Sequence, residues 1–274
     1  MHLPESLSCR PFTLAEGRAA GVSADRLRSR ELATVVRGVR AATGTPDDVW
    51  SLCRALLDVL PANSCVSHTT ALTLQGITLP WRMEGEVPVH VASPAGGTLS
   101  RRPGVRVHSV DREPPTTTLD GVRVVCAEHA WAQVAAQATV DELVVIADGM
   151  MRRTDPLATS DGLRAVVEGL RPGTRGVRRL REALVHARAG TDSPMETLTR
   201  LVVVRAGLPC PVVNTSVYDA RGRFLARPDL HYVDLRIAIE YDGDIHRTDP
   251  ATWRRDVERR QLEVADLAVS RAGP

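Results

Sequence analysis

The segment RPDLHYVDLRIAIEYDGDIH, residues 227–246, constrains this chain more than any other. Residues 235–241 are rich in β-branched and aromatic types and read as a buried strand, on which side chains at i and i+2 share a face. Glu240 and Asp242 therefore point the same way. Residues 223–230 read as the preceding strand. A short connection through His231 to Asp234 folds it back antiparallel and brings Asp229 beside the acidic pair. Three converging carboxylates repel one another in a neutral site, whereas a hard divalent cation such as Mg²⁺ takes oxygen ligands from one or two carboxylates and keeps several waters. The other reading of the same residues is local. Asp and Glu are common near strand ends, Asp242-Gly243 is itself a turn signal, and His246 serves as a polar residue before a helix.

Pro228 and Asp229, followed by Glu240 and residue 242, resemble the PD-(D/E)XK nuclease motif. The form Glu-Tyr-Asp-Gly followed by His246 is similar to the subfamily related to the very-short-patch-repair endonuclease. The resemblance runs over residues 174–267 and takes in GVRRLREALVHA, SPMETLTRLVVVRAGLP, a two-strand unit, the acidic strand and WRRDVERRQLEV. It implies a restriction-endonuclease-like core that hydrolyses phosphodiester bonds with Mg²⁺ or Mn²⁺. Asp229 and Glu240 match the metal ligands, helped by a backbone carbonyl near Tyr241. Asp242 stands where many members of the superfamily carry a Lys, and the chain contains no Lys; the subfamily it resembles has Asp there too. In a Lys-free site His246 is the candidate for proton transfer or phosphate contact, since His is the side chain most readily poised near neutral pH. After Leu262 the family continues through a Gly-aromatic turn into another strand. This chain runs instead through VADLAVSRAGP, which predicts a sheet short of one edge strand.

Two helices carry residues with two readings each. Ser193, Pro194 and Glu196 form a helix opening with Ser as N-cap, Pro in the first turn and Glu completing a capping box. The resemblance also places a Glu of this helix at the edge of the active site, so Glu196 is both a capping residue and a catalytic candidate. Thr248, Asp249 and Pro250 open a further helix on which Arg254 and Arg255, with Arg259 and Arg260, suit a phosphate backbone. The interleaved Asp256, Glu258 and Glu263 equally make it a solvated helix laced with local ion pairs, and Trp253 reads as a packing residue.

Upstream, FTLAEGRAAGVSADRLRSRELATVVRGVRAA reads as a short helix, a turn at Gly21, a second helix capped by Ser23 and carrying Arg26, Arg28 and Arg30, and a β segment from Ala33 to Val39. Helix, turn, helix and wing resemble the degenerate winged-helix domain that opens type IV abortive-infection antitoxins. SHTTALTLQGI, GVRVHSVD and LDGVRVVCAEHAWAQVA are similar to the second domain of those antitoxins. The resemblance makes Arg26 and Arg30 candidate DNA contacts and a toxin or other protein a candidate partner. Ser67, His68, His108, Asp111 and His129 match no hydrolase or metal motif and read as hydrogen-bonded structural groups.

Composition fits a modular protein. The 274 residues suffice for one large or two medium domains, and 43% apolar content is enough for real cores. The formal charge is only +2, and from Gly190 onward twelve Arg face thirteen acidic residues, so charge alone marks no nucleic-acid surface. The five cysteines are scattered without a C-x-x-C pair and read as small buried hydrophobes. No apolar stretch is long enough to span a bilayer and the start carries no signal-peptide pattern, which predicts a cytoplasmic protein with no membrane partner.

The expected architecture is therefore α/β, in the modular α+β sense: a winged-helix-like domain over residues 1–42, a small mixed α/β domain over 46–150, a helical connector over 151–189 and a restriction-endonuclease-like α/β domain over 190–274. In the connector a helix from Thr174 to Arg188 should bury Val177, Leu180, Leu184 and Val185. The expected function is that of a metal-dependent endonuclease acting on double-stranded DNA. The alternative is an antitoxin-like or transcription-regulatory DNA-binding protein that keeps the nuclease fold without turnover.

Overall fold

The computed structural model describes residues 3–45, 48–84, 89–94, 104–219 and 221–241. Asp242, His246, Arg254 and Arg255 lie outside them. The fold is mixed α/β, in two compact units: residues 1–139 with 164–180, and residues 140–163 with 181–274. The expected boundary at residue 150 thus sits at the end of a helix of the second unit, and residues 1–42 and 46–139 belong to one unit.

The first unit opens with α1 (Glu5–Ser8), β1 (Phe12–Thr13), α2 (Leu14–Ala19), α3 (Ala24–Leu27), β2 (Leu32–Val36) and β3 (Val39–Ala42). Thr13 starts α2 with a capping box: its hydroxyl accepts the Glu16 N–H at 3.0 Å while the Glu16 carboxylate accepts the Thr13 N–H at 2.6 Å. Gly21, at φ +79°, turns the chain, and the Ser23 hydroxyl caps α3 through the Arg26 N–H. The helix-turn-helix order is as expected, but two details differ. The β segment expected over residues 33–39 is two strands, because Gly38 takes φ +95° and reverses the chain into a hairpin. The second helix stops at Leu27, so of the three arginines only Arg26 lies on it. Leu7, Phe12, Leu27 and Leu32 form the core beneath these elements.

There follow α4 (Val49–Leu57), β4 (Cys65–Val66), α5 (His68–Leu74), a 3₁₀ turn at Trp81–Met83, β5 (Val89–Pro94), β6 (Val105–Val110), β7 (Thr116–Leu119), β8 (Val122–Val125) and α6 (Ala127–Val134). The strands form one sheet in the order β6-β5-β4-β8-β7. β5 and β6 run parallel, as do β4 and β8, while β4–β5 and β7–β8 are antiparallel. Asp120 and Gly121, both at positive φ, close the β7–β8 hairpin in the primed-turn manner. Helix α5 packs on α6 and across β5 and β8, around fully buried Leu72, Val91, Val124 and Trp131.

Next come α7 (Val140–Met150), α8 (Ser160–Glu168), α9 (Val177–His186) and α10 (Pro194–Arg205). The helix expected over 174–188 is α9, but its buried residues are Leu180 and Ala183, and Val185 is 66% exposed. Val185 stands five positions from Leu180, more than one helical turn, and so falls off the apolar stripe. In the second unit α10 packs against α7. The remaining strands are β9 (Val212–Val213), β10 (Val217–Tyr218), β11 (Phe224–Ala226), β12 (Leu230–Tyr232) and β13 (Ile237–Ile239), in a β10-β11 pair and a β13-β12-β9 sheet. The strand expected over 223–230 is broken into β11 and β12. Pro228 has no N–H to offer a ladder and restricts Arg227 before it, so pairing stops at Ala226 and resumes at Leu230. The expected connection also moves: His231 lies buried within β12, and the turn is Val233–Arg236, with Arg236 at φ +53° donating its N–H to the Val233 carbonyl. Among the described residues no helix is long and apolar enough to cross a membrane.

Candidate functional site

The β12–β13 hairpin pairs Leu230 with Ile239, His231 with Ala238 and Tyr232 with Ile237. Carried one step past the paired residues, this register sets Asp229 across from Glu240. The juxtaposition is cross-braced, since the Tyr241 N–H donates to the Asp229 carboxylate at 2.9 Å. Both acids are half-buried at the end of the hairpin. Their approach follows from the sequence locally: Pro228 ends one ladder, the apolar alternation of Leu230 and Tyr232 starts the next, and Val233–Arg236 provides a tight reversal.

Glu196 is tied to the same region. Ser193 caps α10 through the Glu196 N–H at 3.2 Å. The Glu196 carboxylate does not return to the N-cap residue; it accepts the N–H of Asp192 at 2.9 Å and the side-chain amide of Asn214 at 2.6 Å. Asn214 also donates that amide to the Gly190 carbonyl at 3.0 Å and its backbone N–H to the Asp229 carbonyl at 3.0 Å. It does so from the left-handed region, φ +42°, which Asn tolerates better than most side chains. Asn214 is therefore the bridge between the start of α10 and Asp229. Sequence reasoning missed it, because an Asn before a Thr and a Ser reads as an ordinary loop residue; the available signal was an Asn directly after the apolar pair Val212-Val213, a residue type that tolerates positive φ at a strand end.

Chemically the corner offers the carboxylates of Asp229 and Glu240, beside the main chain of Tyr241. These are hard oxygen donors of the kind that Mg²⁺ or Mn²⁺ takes, and they fit such an ion better than a soft one. Glu196, nearly fully buried and holding two donors, is placed to brace the corner through Asn214. Buried His231 lies two residues after Asp229 in the chain, and burial pushes its pKa down. Asp242 and His246, expected to complete the site, and Arg254 and Arg255, expected to meet phosphate, lie outside the described residues.

In the first unit Arg26 does not present a free charge: its guanidinium pairs with Glu31 at 2.6 Å. Arg28 pairs with Asp25, and Arg40 donates to the Leu27 carbonyl. Arg30 lies beyond α3 on the surface. Of the scattered residues around the second sheet, His68 and His108 converge, and His90 joins them; among the described residues this trio is the group of three candidate ligands whose donor atoms all lie within 4.8 Å of one another. His90 was missed in the sequence, where it stands alone in an apolar run.

No protein-family model matches the chain. Two Mycobacterium tuberculosis sequences, uncharacterized protein Rv2248 from strain H37Rv and uncharacterized protein MT2308 from strain CDC 1551, are each 29% identical to it over 244 residues, spanning 85% of this chain and 82% of their own length. The crystal structure of RV2827C protein from Mycobacterium tuberculosis aligns over 77% of this chain and 84% of that one, at 16% identity and a TM-score of 0.42.

Proposed function

We propose that the second unit carries a metal-dependent phosphodiesterase site acting on DNA, an endonuclease centred on Asp229 and Glu240. The observation that supports this reading is the β12–β13 register, which, carried one step past Leu230–Ile239, sets Asp229 across from Glu240, with the Asp229 carboxylate accepting the Tyr241 N–H. Asp229, Glu240 and the Tyr241 carbonyl hold the cation, and Glu196 with Asn214 keeps Asp229 in place. A bound Mg²⁺ or Mn²⁺ lowers the pKa of a water and offsets the charge that develops on the phosphate. Asp242 and His246 follow directly in the chain, where His246 holds the scissile phosphate or moves a proton to the leaving oxygen. Nicking of supercoiled plasmid in Mg²⁺ or Mn²⁺ tests the proposal. Activity is expected in the wild type and lost in Asp229→Ala and Glu240→Ala; cleavage that survives both substitutions refutes the assignment.

A second reading, an antitoxin-like or regulatory nucleic-acid-binding protein without turnover, draws on one observation: the formal charge is only +2, and from Gly190 onward arginines and acidic residues nearly balance, which is little positive field for a nuclease groove. Under that reading the chain binds duplex DNA, leaves the plasmid intact in either metal, and shows the same binding in Asp229→Ala.

A further inference from the structure

The first unit gathers His68, His90 and His108 from three different elements. His90 stands on β5 and His108 on the neighbouring parallel strand β6, where the register pairs His90 with Arg106 and Ala92 with His108. His108 is two residues on from Arg106 and so shares its face of the strand. Helix α5 crosses this sheet and delivers His68 at its first residue. The His90 Nδ1 and His108 Nε2 atoms are 3.1 Å apart. The His68 ring lies on that of His108 with centroids 3.6 Å apart, and 5.3 Å from the ring of His90.

The placement of His68 is over-determined. Its backbone sits at φ +51°, a conformation that costs about 1 kcal/mol or more for a side chain with a Cβ. It is held there by its own N–H, which donates to the Gln133 side chain at 3.0 Å, and by the preceding Ser67 N–H, which donates to the His90 carbonyl at 3.0 Å. The His90 N–H is fixed in turn by Thr70 at 2.9 Å. The His68 Nδ1 lies 3.0 Å from the Ser67 hydroxyl, which leaves Nε2 for a ligand. His90 meets the cluster through Nδ1, which shares a hydrogen bond with His108 Nε2, while its Nε2 has no hydrogen bond among the described residues.

Burial, with His108, His90 and Arg106 adding to it, pushes His68 down to about 2. Burial and Arg106 bring His90 to about 4, and burial, His90 and Arg106 bring His108 to about 4. Three histidines whose donor atoms converge, with one open position, form a recurrent donor set for Zn²⁺. Zn–N bonds of about 2.0–2.1 Å at tetrahedral angles separate two ligating nitrogens by roughly 3.3 Å, close to the observed spacing of His90 and His108.

We infer that His68, His90 and His108 form a binding site for a borderline divalent transition-metal cation of the Zn²⁺ type, with the fourth position left to water or an anion. The set excludes Mg²⁺ and Ca²⁺, which want oxygen. It is separate from the carboxylate corner of the second unit and does not depend on it. Binding requires the His68 ring to turn off its stack on His108 so that the lone pairs converge, while its Nδ1–H donates to Ser67 and orients the ring. Arg106 opposes a dication in this pocket, and an anion in the fourth position offsets both charges.

The test uses the untagged full-length chain carrying Glu240→Ala, which removes the carboxylate corner from the count, with Zn²⁺ itself as the probe. After equilibration with Zn²⁺ and gel filtration, about one Zn²⁺ per chain is expected by elemental analysis, with a rise in melting temperature that saturates with the metal. Co²⁺ in its place should give the visible absorption of a low-symmetry, four-coordinate site. His68→Ala and His108→Ala each lower uptake at least tenfold; both residues are half-buried, and far-UV circular dichroism verifies that the variants fold. No retained Zn²⁺ in the parent chain, or equal retention in folded His68→Ala and His108→Ala, overturns the site.

Discussion

The buried ion pair between α7 and α10 allows a quantitative test of how the second unit is held together. Asp148 and Arg200 are both essentially inaccessible to solvent. One Asp148 oxygen accepts the Arg188 N–H at 2.7 Å; the other accepts the Thr197 hydroxyl at 2.9 Å and the Arg200 guanidinium at 2.6 Å. Arg200 also donates to the His186 carbonyl at 2.7 Å. Burial pushes the Asp148 carboxyl up, and Arg200, the Arg188 N–H and Thr197 pull against that rise. Replacing Arg200 with Met removes two of these hydrogen bonds and leaves a carboxylate in the interior, at a cost of about 3–5 kcal/mol. Asp148→Leu leaves an unpaired guanidinium at a similar cost. The double variant removes both charges but orphans the Thr197 hydroxyl, the Arg188 N–H and the His186 carbonyl, at about 1 kcal/mol or more each. Its loss should match that of a single variant and fall short of the sum by about 3 kcal/mol. At roughly 2–4 °C per kcal/mol for a chain of this size, each single variant melts about 10–15 °C lower. Scanning calorimetry and urea unfolding on all four proteins read this directly. Single variants that melt within about 2 °C of the wild type, or a double variant that loses the full sum, would show that the pair does not couple the two helices.

Four further outcomes are expected. His246→Ala lowers plasmid nicking by about 10² while leaving the Mg²⁺-induced rise in melting temperature intact; equal nicking removes His246 from the reaction. Duplex binding by the full chain, measured by anisotropy, falls steeply with salt if arginines meet phosphate, and Arg30→Ala weakens it more than Arg26→Ala because Arg26 is already paired with Glu31. Burial raises the Glu16 carboxyl, but the Thr13 N–H and Arg10 outweigh it and hold it below its ordinary value of 4.5. Its stabilisation is therefore present above pH 4.5 and lost as pH falls through the lower folded value, so acid unfolding followed by circular dichroism should begin earlier in wild type than in Glu16→Gln, relative to each protein's stability at pH 7. Gly176→Ala is strongly destabilising, by about 2 kcal/mol or more in urea unfolding, since the residue sits at φ +85° and an added Cβ would stand 2.4 Å from the Ala135 carbonyl oxygen.

What the sequence made legible, and what it hid, separates along contact range. The β12–β13 hairpin is legible in outline because β-branched residues and a short reversal are local signals, but the strand expected to be buried over 235–241 is only Ile237–Ile239, with Ile237 47% exposed. The errors there were also local in kind. The apolar content of residues 223–230 suggests one strand, but Pro228 lacks the N–H to continue a ladder, and His231 reads as a loop residue although the strand buries it. The capping box at Thr13 and Glu16 is a local T-x-x-E signal within the helix-turn-helix pattern.

The histidine trio is of the other kind. His68, His90 and His108 carry no shared motif, and each taken alone is a hydrogen-bonded core histidine. What unites them is the parallel pairing of β5 with β6 and the packing of α5 on β5, contacts set by the whole sheet order β6-β5-β4-β8-β7. A one-residue slip of the β5–β6 register would turn His108 to the opposite face and dissolve the cluster, so the site is a property of the pairing and not of the residues. The strained backbone of His68 points the same way: a non-glycine residue held at φ +51° by Gln133 persists only where surrounding contacts over-determine it. His68→Gly offers a way to separate those two roles. It relieves the backbone while deleting the ligand, so the folded chain should lose Zn²⁺ as completely as His68→Ala yet melt at a higher temperature than that variant. If the order of melting is reversed, the positive φ carries no strain, and the convergence of the three rings follows from sheet packing alone.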